Sequence, residues 1–216
     1  AARVEQLGLT DVDALRALLV LDVPSNLYLL GLLEEFGIPE RPASWAIHGL
    51  VESGALSAAL FVGNGGALVV PSASEPSALS ALARGLTNPL RLRAALGERA
   101  AIEAVVRHLG PQTALAQRHQ QLFCVSADEL GPFTNPPLRL ANSDDLPRLI
   151  PLAAAWVVEA FGRDPRTAHP AKFHAWVARR VNAKRTWVLE VDKQLVLKVD
   201  VGARSTYGAE LEGLYT

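Results

Sequence analysis

The sequence predicts an α/β (α+β) protein of two related units, each a mixed, mostly antiparallel sheet flanked by helices, the second unit incomplete. Three observations carry this expectation. An order of strand, cap and helix occurs twice, first as "LGLTDVDALRALLVLD" and again as "LRLANSDDLPRLIPLAAA". The stretch "SWAIHGLVESGALSAALFVGNGGALVVPS" is a chain of strand-forming runs cut by "ESG" and "GNGG", both turn formers. Between the halves lies "GPFTNPP", residues 131–137, the densest cluster of backbone breakers and the natural linker. Residues 1–130 are then the first unit and 138–216 the second.

Each element follows from local chemistry. "ARVEQLGL" is a short strand, and "TDVDALRALLVLD" a helix that Thr10 or Asp11 is placed to cap. Ser25 is the expected cap of a second helix, whose leucines make a broad apolar face and which Gly37 ends. Three strands follow, then a helix over "PSALSALARGL", a strand over "LRLRAALG" and a helix over "ERAAIEAVVRHLG" ended by Gly110. "TALAQRHQQLFCVSADEL" is expected to be a further strand with Cys124 packed in its core. After the linker the order is strand, helix, the helix "AKFHAWVARRVNA", and the strands "RTWVLEVD", "KQLVLKVDVGA" and "AELEGLYT".

Composition narrows the function classes. Half of the 216 residues are hydrophobic and the net charge is −1, so no global field draws the chain to nucleic acid or to an anionic membrane. A single cysteine excludes an internal disulfide framework and fits a reducing compartment. With no basic-then-apolar leader pattern and no apolar run of about 18 residues, the expectation is a cytoplasmic protein without a membrane partner. His169 and His174 are five apart with Pro170 between them, so they do not share a helical face, and no metal site is expected. "GNGG" could cradle a phosphate, but it leads into another strand rather than a helix, which favours a hairpin turn. "LGERAAIEAVV" does pass from strand to helix; its Glu98 would repel phosphate.

The order ending in "LVLKVDVGARSTYGAELEGLYT" resembles the GNAT superfamily of N-acetyltransferases, in particular bacterial members with an extra GNAT-like domain in front. In that superfamily the fourth strand is followed by a V-P-x-x-R-G-x-G segment whose amides bind the pyrophosphate of acetyl-CoA. The resemblance makes "AELEGLYT" that strand, and implies that the chain stops just before the loop, as a fragment with little activity of its own. It implies acetyl-CoA as co-substrate and a small-molecule or protein amine as acceptor. The other class of function left open is a non-catalytic module that binds a ligand or partner.

Acetyl transfer to an amine needs a base for the amine proton and a donor for the thioester carbonyl. The resemblance assigns the base to Glu210, with Glu212 two residues on and on the same strand face, where like charges would raise each other's pKa. A solvated strand face is the alternative reading of the two glutamates. The backbone of Leu214, Tyr215 and Thr216 is the implied partner of the pantetheine arm. Glu159 and Arg163, with the neighbouring Asp164, are candidates for acceptor binding, as are Asn26, Tyr28, Glu34 and Glu35 in the first unit. Trp187 and Trp176 are expected in the core or in the wall of the acceptor pocket, and Arg179, Arg180, Lys184 and Arg185 beside a helix C-terminus. An unpaired "AELEGLYT" strand would leave an open sheet edge through which two chains could dimerise.

Overall fold

The computed structural model describes residues 2–40, 43–86, 90, 92–108, 117–132 and 137–216. It divides into two compact units, Ala1–Phe123 with Arg204–Gly208, and Cys124–Ala203 with Ala209–Thr216. Each unit is an antiparallel four-stranded sheet with strands in sequence order, β1-β2-β3-β4 and β5-β6-β7-β8.

The first unit runs β1 (Arg3–Gln6), α1 (Val12–Leu19), α2 (Val23–Phe36), β2 (Trp45–Glu52), β3 (Ala55–Gly63), β4 (Leu68–Ala73), α3 (Pro76–Gly85) and α4 (Arg99–Val106). Both faces of its sheet are covered. Along β3, Ala59 and Phe61 pack under the leucines of α1 and α2, while Ala58, Leu60 and Val62 pack under α3 and α4, the two-residue period of a strand buried on both sides. Asn64, Gly65 and Gly66 turn β3 into β4 with positive φ, so "GNGG" is a hairpin turn. Of the strand expected over "LRLRAALG", the described part is a short parallel rung: Val69 N–H donates to the Ala94 carbonyl at 2.9 Å and Leu96 N–H to Val69 at 3.0 Å.

Residues Leu9–Phe36 form a helical stretch long and apolar enough, by composition, to cross a membrane. It is broken at Asp22 (φ −143°, ψ 82°) into two helices whose leucines are buried against the sheet. Asp22, not Ser25, caps α2, accepting from the Ser25 N–H at 3.3 Å. Pro24 at the second helical position has no N–H, so the Ser25 amide is the next one after Val23 in need of an acceptor. Gly37 ends the helix, its N–H on the Leu33 carbonyl at 2.9 Å.

The second unit runs β5 (Arg139–Leu140), α5 (Leu146–Phe161), a four-residue α6 (Pro165–Ala168), α7 (Pro170–Asn182), β6 (Thr186–Val191), β7 (Gln194–Ser205) and β8 (Gly208–Tyr215). Its core joins α5 and α7 to the strands through Leu149, Ala153, Ala154, Phe173, Val177, Val181 and Val188. The opening of each unit is the same device. In the first, Asp11 reaches back to accept the Gly8 N–H at 2.8 Å across a 3-10 turn, rather than capping α1. In the second, Asp145 accepts the Asn142 N–H at 2.9 Å. Asp145 also takes Arg139 Nη1 at 2.7 Å and Arg148 Nη2 at 2.8 Å. Glu190 of β6 binds both arginines from the other side, tying the α5 entry to the hairpin of β6 and β7. The hydrogen bonds from Arg139 chiefly, and then those from Asn142 and Arg148, hold the Asp145 carboxyl well below the usual carboxylate range despite its burial.

The strand expected around Cys124 is absent: residues 117–126 are irregular, and Cys124 is exposed with Leu122, Phe123 and Val125. No described strand pairs with this stretch, and an unpaired strand leaves its amides to water. The expected stop at Gly110, and linker residues 133–136, lie outside the described residues.

Two outcomes follow. Asp145→Asn should destabilise the second unit by about 1–2 kcal/mol, since it removes the buried one of the two carboxylates that Arg139 and Arg148 share, and both arginines are partly exposed; urea unfolding followed by tryptophan fluorescence measures it. The wild-type contribution is fully present above the unfolded carboxylate pKa of about 3.9 and is lost as pH falls toward the depressed folded value. Separately, the Cys124 thiol should react with a water-soluble disulfide reagent in the native protein at the rate of an unfolded control. Protection until denaturant is added would show a packed cysteine instead.

Candidate functional site

The second unit inverts the polarity expected of its strands. On β7, Lys198 is 1% and Asp200 4% exposed, whereas Val196 is 37% exposed. On β6, Thr186 is 2% exposed and Trp187 37%. The register sets Thr186 opposite Asp200 and Val188 opposite Lys198, so all four share the face under α5 and α7. Trp187, the candidate wall residue, points the other way, opposite Val199. β8 repeats the inversion: Glu210 and Glu212 are half-buried while Leu211 and Leu214 are exposed.

Polar groups on that face need partners, and they have them. The Lys198 ammonium donates to Asp200 Oδ2 at 2.7 Å and to the Gly213 carbonyl at 2.7 Å, and sits 5.1 Å from the centre of the Trp156 ring. Thr186 Oγ1 donates to the other Asp200 oxygen at 2.6 Å. From α7, Arg180 lies over the Trp176 ring at 4.9 Å, donates through Nη2 to Glu212, and brings its Nε to 3.7 Å from Asp200 Oδ1. Arg180 Nε is the one buried side-chain nitrogen or oxygen among the described residues that lacks a hydrogen bond. It borders a recess with room for about one water, lined by Leu149, Ala153, Trp176, Val177, Thr186, Lys198 and Asp200.

Glycine makes the close approaches possible. A Cβ on Gly202 would stand 2.9 Å from Glu212 Cδ, so the carboxylate lies directly over bare backbone. Gly213 has φ +58°, and a Cβ there would stand 2.8 Å from Lys198 Nζ and 2.9 Å from Asp200 Oδ2. A positive φ inside a strand turns the peptide out of the ladder, as in a β-bulge, and this one turns its carbonyl to Lys198.

The predicted pair therefore divides. Glu212 is held by Arg180. Glu210 has no hydrogen bond or ion pair among the described residues. Burial first, then the charge of Glu212, raise its pKa, with Arg180 opposing. Leu214 and Tyr215 end β8, the outermost strand of its sheet among the described residues, so their main chain has no strand on the far side, and Thr216 lies just beyond it. Glu159 near the end of α5 and Arg163 beyond it are exposed and are not brought to this cluster; Asp164 caps α6, accepting the Arg166 N–H at 2.9 Å. Arg180 turns inward instead of lying beside the helix end, and Arg185 donates to the Gly202 carbonyl at 2.7 Å. In the first unit Asn26 is a core residue, donating to the Leu19 carbonyl at 2.9 Å, and Glu34 pairs with Arg16. Sequence reasoning passed over Lys198, Asp200 and Thr186. The available signal was the "KVD" alternation inside an otherwise apolar strand. No group of three or more His, Cys, Asp or Glu among the described residues is placed to hold a metal ion.

Because its folded pKa is raised, Glu210 favours the folded state only while protonated, and that contribution is lost as pH rises through the folded value. Glu210→Gln should therefore raise the Tm at pH 7 and leave it unchanged below about pH 4, beneath the ordinary glutamate value. Equal Tm values for the two proteins at pH 7 would show that Glu210 carries no burial penalty.

No family model and no curated protein matches the chain. Among solved structures it is similar to an acetyltransferase of the GNAT family from Colwellia psychrerythraea, at 12% identity and a TM-score of 0.45, over 97% of this chain and 76% of that one.

Proposed function

We propose that this chain serves acetyl-CoA-dependent N-acetylation of an amine, with the second unit holding the chemistry and the first a related fold without it. The observation that carries the reading is Glu210: a half-buried carboxylate with raised pKa and no bound partner among the described residues, beside a second carboxylate already neutralised by Arg180. Such a group is free to take a proton and is tuned toward the pH at which an amine must lose one.

Acetyl-CoA would supply an acyl thioester, whose carbonyl carbon gains the amine nitrogen as its carbon–sulfur bond breaks. Glu210 removes the proton that the amine sheds. Arg180 keeps Glu212 ionised and occupied, so one carboxylate of the pair carries the exchangeable proton. The residues fit a pantetheine arm at the outer edge of β8, where the peptide groups of Leu214 and Tyr215, with Thr216 beyond them, lack a strand partner on the far side among the described residues.

The first unit supports a non-catalytic role for itself. Its sheet passes into α3 through Ser74, Glu75 and Pro76, with Glu75 at the N-cap and no glycine in the turn. A carboxylate at a helix N-terminus repels phosphate, and proline removes one of the amides that would bind it. The acidic turn in the right structural place is this one, not the Gly97–Glu98 step picked out in the sequence.

Acetylation of a panel of primary amines by the full gene product, followed as thiol release from acetyl-CoA, tests the reading. With the accepted amine, Glu210→Gln should lower kcat/KM by about 100-fold or more. In the wild type, kcat/KM should rise with pH through the raised Glu210 pKa, since the base must be ionised, and the variant should lose that acid limb. Absence of both thiol release and acetyl-CoA binding would overturn the proposal.

A further inference from the structure

Gly213, with φ +58° inside β8, turns its carbonyl to a lysine ammonium 1% exposed. We propose that Lys198 is a positioning residue: held by Asp200, it fixes the turned peptide at Gly213 and thereby sets the main chain of Leu214–Thr216 that would meet the acyl donor. The inference rests on the acetyl-transfer reading for the donor, and on the geometry alone for the strand end.

The peptide plane makes the argument specific. A trans peptide directs its carbonyl and the following N–H in opposite directions. With the Gly213 carbonyl drawn to Lys198 on the helix-covered face, the Leu214 N–H points away from that face. A strand residue in an ordinary conformation would instead keep that peptide in the plane of the sheet, one of the two groups toward β7 and the other toward the open edge. The positive φ of Gly213 is accessible without side-chain strain, but a glycine alone does not choose it; glycine populates both signs of φ readily. Lys198 makes the choice, because a carbonyl returned to the ladder would leave a buried ammonium short of an acceptor. Lys198 is fixed in turn. Asp200 Oδ2 binds it at 2.7 Å, Thr186 Oγ1 holds the other Asp200 oxygen at 2.6 Å, and the Trp156 ring closes the remaining side. The chain of contacts from β6 through β7 to β8 has no water-exposed member until it reaches the strand end.

The test is Lys198→Met, which keeps the length and apolar stem and removes the ammonium. Nitrogen-15 amide spectra should show the signals of Gly213, Leu214, Tyr215 and Thr216 moved and their hydrogen exchange faster by about tenfold or more. Amides of β6 and α5 should keep their protection, which a general loss of stability would not allow. The acetyl-CoA dissociation constant should weaken by about tenfold while the KM of the acceptor stays within about twofold. Asp200→Asn, milder because it keeps the side-chain shape, should move the same amide signals less, and stands in if the methionine variant fails to fold. Unmoved signals at 213–216 in either folded variant would overturn the proposal. If wild-type protein binds no acetyl-CoA, the acetyl-transfer reading fails and the amide signals still decide what Lys198 does to the strand.

Discussion

A lysine with 1% of its surface in water must find inside the protein every partner that water would have given it. For Lys198 these are a carboxylate on its own strand, a carbonyl on the next and an indole face on α5. The second unit is organised by that requirement. Asp200 has to lie on the helix-covered side of β7, which recruits Thr186 from β6. Gly213 suits a glycine, because its φ is positive and a Cβ would crowd the ammonium at 2.8 Å. Arg180 approaches Asp200 from α7 and carries Glu212 with it, leaving Glu210 as the carboxylate without a partner among the described residues.

The cluster is worth less to stability than its density of contacts suggests. Two buried cations and two carboxylates lose much of their hydration, and an apolar replacement of similar volume often folds as well or better. Its value lies in definition. Ion pairs and hydrogen bonds accept one register where a wall of leucines would accept several, and a slip of one residue in β7 would expose Lys198 and bury valine. The Asp145 network does comparable work at the other end of the sheet, where two arginines and Glu190 fasten a two-residue β5 that could not hold by pairing alone.

What was legible in the sequence was whatever depends on local chemistry. Three of the four strands of the first sheet, β2, β3 and β4, stood out because "ESG" and "GNGG" favour turns between runs of that composition. The α2 stop at Gly37 followed from the leucine run and the glycine. The second unit's site was legible only in part, for a physical reason: alternation says that two faces differ, not which one is inside. In "LVLKVDV" it is Lys198 and Asp200 that lie under the helices, and in "AELEGLY" the glutamates, readable as a solvated face, are half-buried while the leucines of β8 are exposed. The α7 basic run misled similarly, since Arg180 turns inward toward Glu212, Asp200 and Trp176. Cys124 failed by the opposite route: an apolar stretch of strand-forming residues found no described neighbour to pair with.

The burial of Lys198 also bears on chemical self-protection. Any primary amine near an activated thioester is a rival acceptor, and a lysine two residues from Asp200 in such a neighbourhood would be the first target. An ammonium offers no electron pair. This one directs its hydrogens at a carboxylate and a carbonyl, beneath a tryptophan ring, with no open approach for an acyl carbon. Under the proposed acetyl transfer, the contacts that hold Lys198 would also keep the chain's own amine out of the reaction.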